Sequence, residues 1–101
     1  MNLTNYVVDQ REWSKRTFGP GRRTMGLTRH IEKEIEEIRK DPLDLMEWVD
    51  VVILALDGAW RAGHSPDAIA DALVMKQRLN MERTWPKGMG EDEPTEHVKE
   101  G

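Results

Sequence analysis

Five acidic side chains stand at positions where a helical core is normally apolar. In Asp41-Pro-Leu-Asp-Leu-Met-Glu-Trp-Val-Asp-Val-Val-Ile-Leu-Ala-Leu-Asp57, Glu47, Asp50 and Asp57 recur at i, i+3 and i+10. That spacing sets them within roughly 80° of one another on a helical wheel. The rest of the segment is apolar nearly all round, the pattern of a helix covered on every side. Burying ionised carboxylates is costly unless they are neutralised, and this segment offers no cation before Arg61. A second pair, Glu34 and Glu37, lies at i, i+3 in the preceding segment. Two acidic pairs on consecutive helices form a cage of hard oxygen donors. The chemistry such a cage serves is divalent-cation binding, with Mg²⁺ expected and Mn²⁺ as a substitute.

Other carboxylates read differently. Glu32 and Glu36 lie opposite the stripe of Leu27, Ile31, Ile35 and Ile38 and belong to a solvated face with i, i+4 ion pairs. Glu34 borders that stripe beside Leu27, and Glu37 and His30 follow the same flank. Two readings stay open for Asp57: an additional ligand or substrate contact, and a partly buried acid hydrogen-bonded to a neighbour. Zinc is disfavoured, because the chain has no cysteine and its three histidines lack ligand spacing.

The elements that must position these acids are helices. No run alternates with period two, so the expected fold is all-α, a bundle of about four helices. Residues 6–16 form the first, with Asp9 as a possible cap, and Phe18 to Thr24 is a loop broken by Gly-Pro-Gly. Leu27 to Lys40 is amphipathic, with Thr28 as cap. Asp41-Pro42 ends it and opens a third helix running to about Ala62. Ser65-Pro66 opens a fourth, which reaches about Arg83. The short connection between the second and third makes an antiparallel hairpin that sets one acidic pair opposite the other. The third helix is too apolar for its neighbours to cover, so a second copy is expected to complete the core, giving a homodimer or homotetramer.

With 101 residues one folded domain is expected, over 1–86, followed by a flexible tail over 87–101 rich in Glu, Gly and Pro. A net charge of −4 argues against a nucleic-acid partner. No segment is suited to crossing a membrane, and a cytoplasmic location is expected.

Glu34-Ile-Glu-Glu37 followed by Glu47-Trp-Val-Asp50 resembles the paired acidic motifs of the all-α nucleoside triphosphate pyrophosphohydrolases, the MazG-like superfamily. Lys33 stands where the first motif usually has a leading Glu. Glu12-Trp-Ser-Lys-Arg-Thr-Phe-Gly-Pro-Gly-Arg22, Glu47 to Arg61 and Lys76-Gln-Arg-Leu-Asn-Met-Glu-Arg-Thr-Trp-Pro86 are most similar to the dATP/dGTP diphosphohydrolase (MazZ-like) branch, often phage-borne. The resemblance covers about residues 9–86.

It implies an enzyme: Mg²⁺-dependent hydrolysis of a nucleoside triphosphate between the α and β phosphates, releasing monophosphate and pyrophosphate, with purine deoxynucleotides as substrates. It assigns metal binding to Glu34, Glu37, Glu47 and Asp50, with Glu34 or Glu37 as general base. Lys76, Asn80 and Arg83 would grip the distal phosphates. Trp13, Arg16 and Phe18 are candidates for stacking on the base, with core packing an open alternative for Trp13; Trp48 and Trp60 read as structural. A phosphohydrolase on the same scaffold with a different nucleotide substrate competes with this reading, as does a non-catalytic helical oligomeric interaction module, which a Mg²⁺-linked thermal shift separates from either enzyme. A helix-turn-helix regulator is disfavoured by the acidic balance.

Overall fold

The computed structural model describes residues 1–85 and Thr95. Among these the chain is all helical, with α1 (Leu3–Phe18), α2 (Thr24–Lys40), α3 (Leu45–Arg61) and α4 (Pro66–Glu82). The tail expected over 87–101 lies, Thr95 apart, outside the described residues. Tertiary contacts cluster the chain into two units, Met1–Ala70 and Asp71–Gly101, with the division inside α4.

Three helix starts differ from the sequence expectation, each for a local reason. Asn2, not Asp9, caps α1: its side-chain oxygen accepts from the Asn5 amide at 2.8 Å, which extends the helix by a turn. Thr28 does not cap α2; its hydroxyl donates back to the Thr24 carbonyl at 2.8 Å inside a helix that has already begun. Asp44, not Asp41, caps α3 by accepting from the Met46 amide at 3.0 Å. Asp41 to Asp44 is a turn, with the Asp44 amide on the Asp41 carbonyl at 3.2 Å. Trp48 secures it, donating its indole N–H to the Pro42 carbonyl at 2.9 Å. The start of α4 is as expected, with Pro66 first and Ser65 Oγ accepting from the Ala68 amide at 3.1 Å.

In the first unit, α3 packs against both α2 and α1. The core is Val7, Trp60 and Ile69, edged by Leu3, Tyr6, Leu56 and Ala59. It leaves Leu45, Met46, Trp48 and Val52 of α3 exposed. Trp60 is thus structural, as read from the sequence, whereas Trp48 serves the turn from an exposed position. In the second unit α4 exposes Leu73, Val74, Met75, Leu79 and Met81.

Candidate metal centre and adjoining cavity

The α2–α3 hairpin brings Glu34 against Glu47 and Asp50. One carboxylate oxygen from each lies within 4.8 Å of the others. Glu34 and Glu47 are half-buried and Asp50 is exposed. The Glu47 carboxyl is raised above its ordinary value, first by desolvation and then by the negative charges of Asp44, Glu34, Glu37 and Asp50. The like charges of Glu34, Glu47 and Asp50 converge here, a configuration that a divalent ion relieves. The donors are all oxygen, which suits Mg²⁺ or Mn²⁺.

Glu37 stands one turn beyond Glu34 and pairs with Lys40 at 3.6 Å. It is near enough to raise Glu47 but is not among the three converging oxygens. His30, which precedes Glu34 by one turn, places Nε2 3.2 Å from Glu34 Oε1. An imidazole in that position orients the Glu34 carboxylate. Glu36 pairs with Arg39 on the exposed face, as expected for a solvated acid.

A cavity of about 410 Å³ adjoins the acids, and Glu34 and Asp50 line it together with His30, Trp13, Phe18 and Arg23. The Trp13 and Phe18 rings meet edge to face, with centroids 5.5 Å apart and planes at 86°. Both are about half exposed, which leaves ring surface open to a planar ligand. The Arg23 guanidinium sits 4.9 Å from the Phe18 centroid. Arg16 is exposed on α1 and is not among the lining residues. The cation beside these rings is Arg23, from the Gly-Pro-Gly loop.

Asp57 and Gln10 also line this cavity. Asp57 is buried, and both of its oxygens take protein donors. Oδ2 accepts from Gln10 Nε2 at 2.9 Å and from the Ser14 hydroxyl, and Oδ1 accepts from Arg61 Nε. Trp60 donates its indole N–H to Gln10 Oε1 at 2.7 Å. These are the surroundings of the second reading of Asp57, an acid satisfied by its neighbours. Removing one partner of such a buried ion pair typically costs about 3–5 kcal/mol.

Sequence reasoning set His30 on the flank of Glu34 without giving it a role, and missed Gln10, Ser14 and Arg61 as members of this region. The i, i+4 relation of His30 to Glu34 was a usable signal. So were Gln10 and Ser14, polar residues at i+3 and i+7 from Val7 on a face that proves buried.

In the second unit Lys76 is exposed on α4, Asn80 is half-buried and Arg83 follows the helix end. Arg83 Nη1 donates to Asn80 Oδ1 at 3.4 Å, and Trp85 donates its indole N–H to the Asn80 carbonyl at 2.6 Å.

A family described as dATP/dGTP pyrophosphohydrolase matches residues 7–101. The Eaa protein of Salmonella phage P22 is 37% identical over 89 residues, 88% of this chain and 27% of that protein. The chain therefore spans about a quarter of the length of that curated relative. No solved structure gives a significant match. Among the described residues no helix is long and apolar enough to cross a membrane.

Proposed function

We propose that this chain, which belongs to the dATP/dGTP pyrophosphohydrolase family, is a Mg²⁺-dependent hydrolase of purine deoxynucleoside triphosphates. Its products are a nucleoside monophosphate and pyrophosphate. The observation that carries this reading is a single cavity lined both by carboxylates, Glu34 and Asp50, and by two half-exposed aromatic rings, Trp13 and Phe18. A nucleotide has the matching polarity, a planar base and a polyanion that associates with divalent cations.

Glu34, Glu47 and Asp50 would hold the ion. Bound there, Mg²⁺ would supply neutralisation of phosphate charge, acidification of water and stabilisation of the charge that develops in the transition state. Water attacks the α phosphorus, the bond from that phosphorus to the α–β bridging oxygen breaks, and pyrophosphate leaves with the bonding pair. Glu37, outside the converging oxygens, is the carboxylate we assign to receive the proton of the attacking water. Trp13 and Phe18 stack on the base, with Arg23 beside them. On their resemblance to the family's Lys-x-x-x-Asn-x-x-Arg segment alone, Lys76, Asn80 and Arg83 are assigned to the distal phosphates.

We also propose that the working form is a homodimer or homotetramer. The exposed apolar face of Leu45, Met46, Trp48 and Val52 on α3 supports it, since contiguous apolar patches beyond a few hundred Å² are uncommon on soluble monomers. The proposed place of action is the cytoplasm, where deoxynucleotides are found.

The test is incubation with each common deoxynucleoside and ribonucleoside triphosphate, with and without Mg²⁺. Mg²⁺-dependent turnover that favours dATP or dGTP is expected. No turnover of any triphosphate at saturating Mg²⁺ would overturn the reading.

A further inference from the structure

The side chain of Arg61 is 1% exposed, and all five of its N–H donors are directed to acceptors. Nε serves Asp57. Nη1 is 2.9 Å from the carbonyls of both Gly19 and Gly21. Nη2 is 2.9 Å from Ser14 Oγ and 3.5 Å from the Ser14 carbonyl. The guanidinium carbon also lies 4.3 Å from the Trp60 ring centroid. One planar group thus joins α3, the last turns of α1 and the loop between α1 and α2. Lysine, with three donors on a point charge, cannot reproduce the fork.

The loop it grips carries part of the aromatic wall. Phe18 immediately precedes Gly19, and Arg23 follows two residues after Gly21. Gly19 and Gly21 have φ of 86° and 95°, a conformation that disfavours side chains and here accompanies carbonyls engaged by Arg61. Phe18 in turn contacts both the Trp13 ring and the Arg23 guanidinium. Asp50 lies eleven residues from Arg61 along α3, about 16 Å of helix, and Glu47 is a further turn away. A disturbance at Arg61 therefore reaches the aromatic wall directly and the acids only at a distance.

We propose that Arg61 is a positioning residue for base recognition: by holding Gly19 and Gly21 it fixes the spacing of Trp13, Phe18 and Arg23, without touching metal or substrate. This rests on the reading of the cavity as a deoxynucleotide site.

The test uses Arg61→Lys in the full chain, with Gly21→Ala as a second variant. A side chain at Gly21 meets nothing within 4 Å, so its effect is on loop conformation alone. Three readouts are taken. Trypsin cleavage after Arg22 and Arg23, followed by mass spectrometry, should be faster in both variants. Mn²⁺ affinity by calorimetry should match the unaltered protein. KM for dATP and dGTP should rise on the order of tenfold, with preference over pyrimidine nucleotides reduced and kcat little changed.

Cleavage unchanged in folded Arg61→Lys overturns the proposal. So does a parallel fall of metal affinity and kcat, which would mark a general structural role. If Arg61→Lys does not fold, Gly21→Ala decides by the same three outcomes. Should the unaltered protein hydrolyse no triphosphate, the functional reading fails on its own. The proteolysis and Mn²⁺ arms, which need no nucleotide, then still report whether Arg61 holds the loop.

Discussion

His30 Nε2 lies 3.2 Å from Glu34 Oε1, one turn away on α2, so the carboxylate that borders both the acidic group and the cavity has its orientation set from its own helix. His30→Ala should leave the fold intact, because the imidazole is mostly exposed. Metal affinity should fall on the order of 10–100-fold, the usual cost of losing an orienting partner. Calorimetric titration with Mn²⁺ checks this, and unchanged affinity would remove His30 from the site.

The converging acids should be individually essential. Glu34→Gln, Glu47→Gln and Asp50→Asn keep the shape but lose the charge, and each should lower turnover on the order of a hundredfold or more. Glu32→Gln and Glu36→Gln, on the solvated face, should be nearly silent. Near-full activity in any two of the first three variants contradicts a carboxylate-held metal.

Metal-free stability should respond to pH through Glu47. Its folded-state pKa is raised, so the folded chain holds that proton more tightly than the unfolded one. The stability this provides is complete below the ordinary value of 4.5 and is lost as pH rises through the raised value. Glu47→Gln removes that loss. In chelator at neutral pH, the variant should melt at a temperature equal to or above that of the unaltered protein, and the addition of Mg²⁺ should reverse the order. A lower melting temperature in chelator would show that ionised Glu47 stabilises the metal-free chain.

Light scattering should give a mass of two or four times the 11.7 kDa chain. Val52→Lys, on the exposed apolar face of α3, should shift it towards a single chain. A single-chain mass for the unaltered protein at micromolar concentration contradicts the proposed assembly.

Features with a local cause were legible in the sequence. Ser65 and Pro66 opened α4 as expected because cap and proline act within one turn. Glu34, Glu47 and Asp50 stood out because helical period alone puts charge beside an apolar stripe. The start of α3 was misplaced because Asp41 and Asp44 are both competent caps; the choice falls to the Asp44–Met46 bond, while the indole of Trp48 on Pro42 stabilises the preceding turn. The Gln10, Ser14, Asp57 and Arg61 network was illegible for a different reason. Apart from the Arg61–Asp57 pair within α3, its bonds join residues more than forty positions apart, and Gln10 and Ser14 read in isolation as ordinary surface polar residues. Likewise Arg23 entered the cavity in place of Arg16 because the loop's path, not helical spacing, decides which cation reaches Phe18.

The bond that breaks is the most direct test of the central claim. The protein is incubated with dGTP and Mg²⁺ in ¹⁸O-labelled water, and the products are separated and weighed by mass spectrometry. Labelled dGMP with unlabelled pyrophosphate is expected, absent in Glu47→Gln, because attack falls on the α phosphorus beside the carboxylate-held ion. Nucleoside diphosphate and labelled orthophosphate as the first products would place attack at the γ phosphorus and contradict the assignment of both the acids and the phosphate-binding residues.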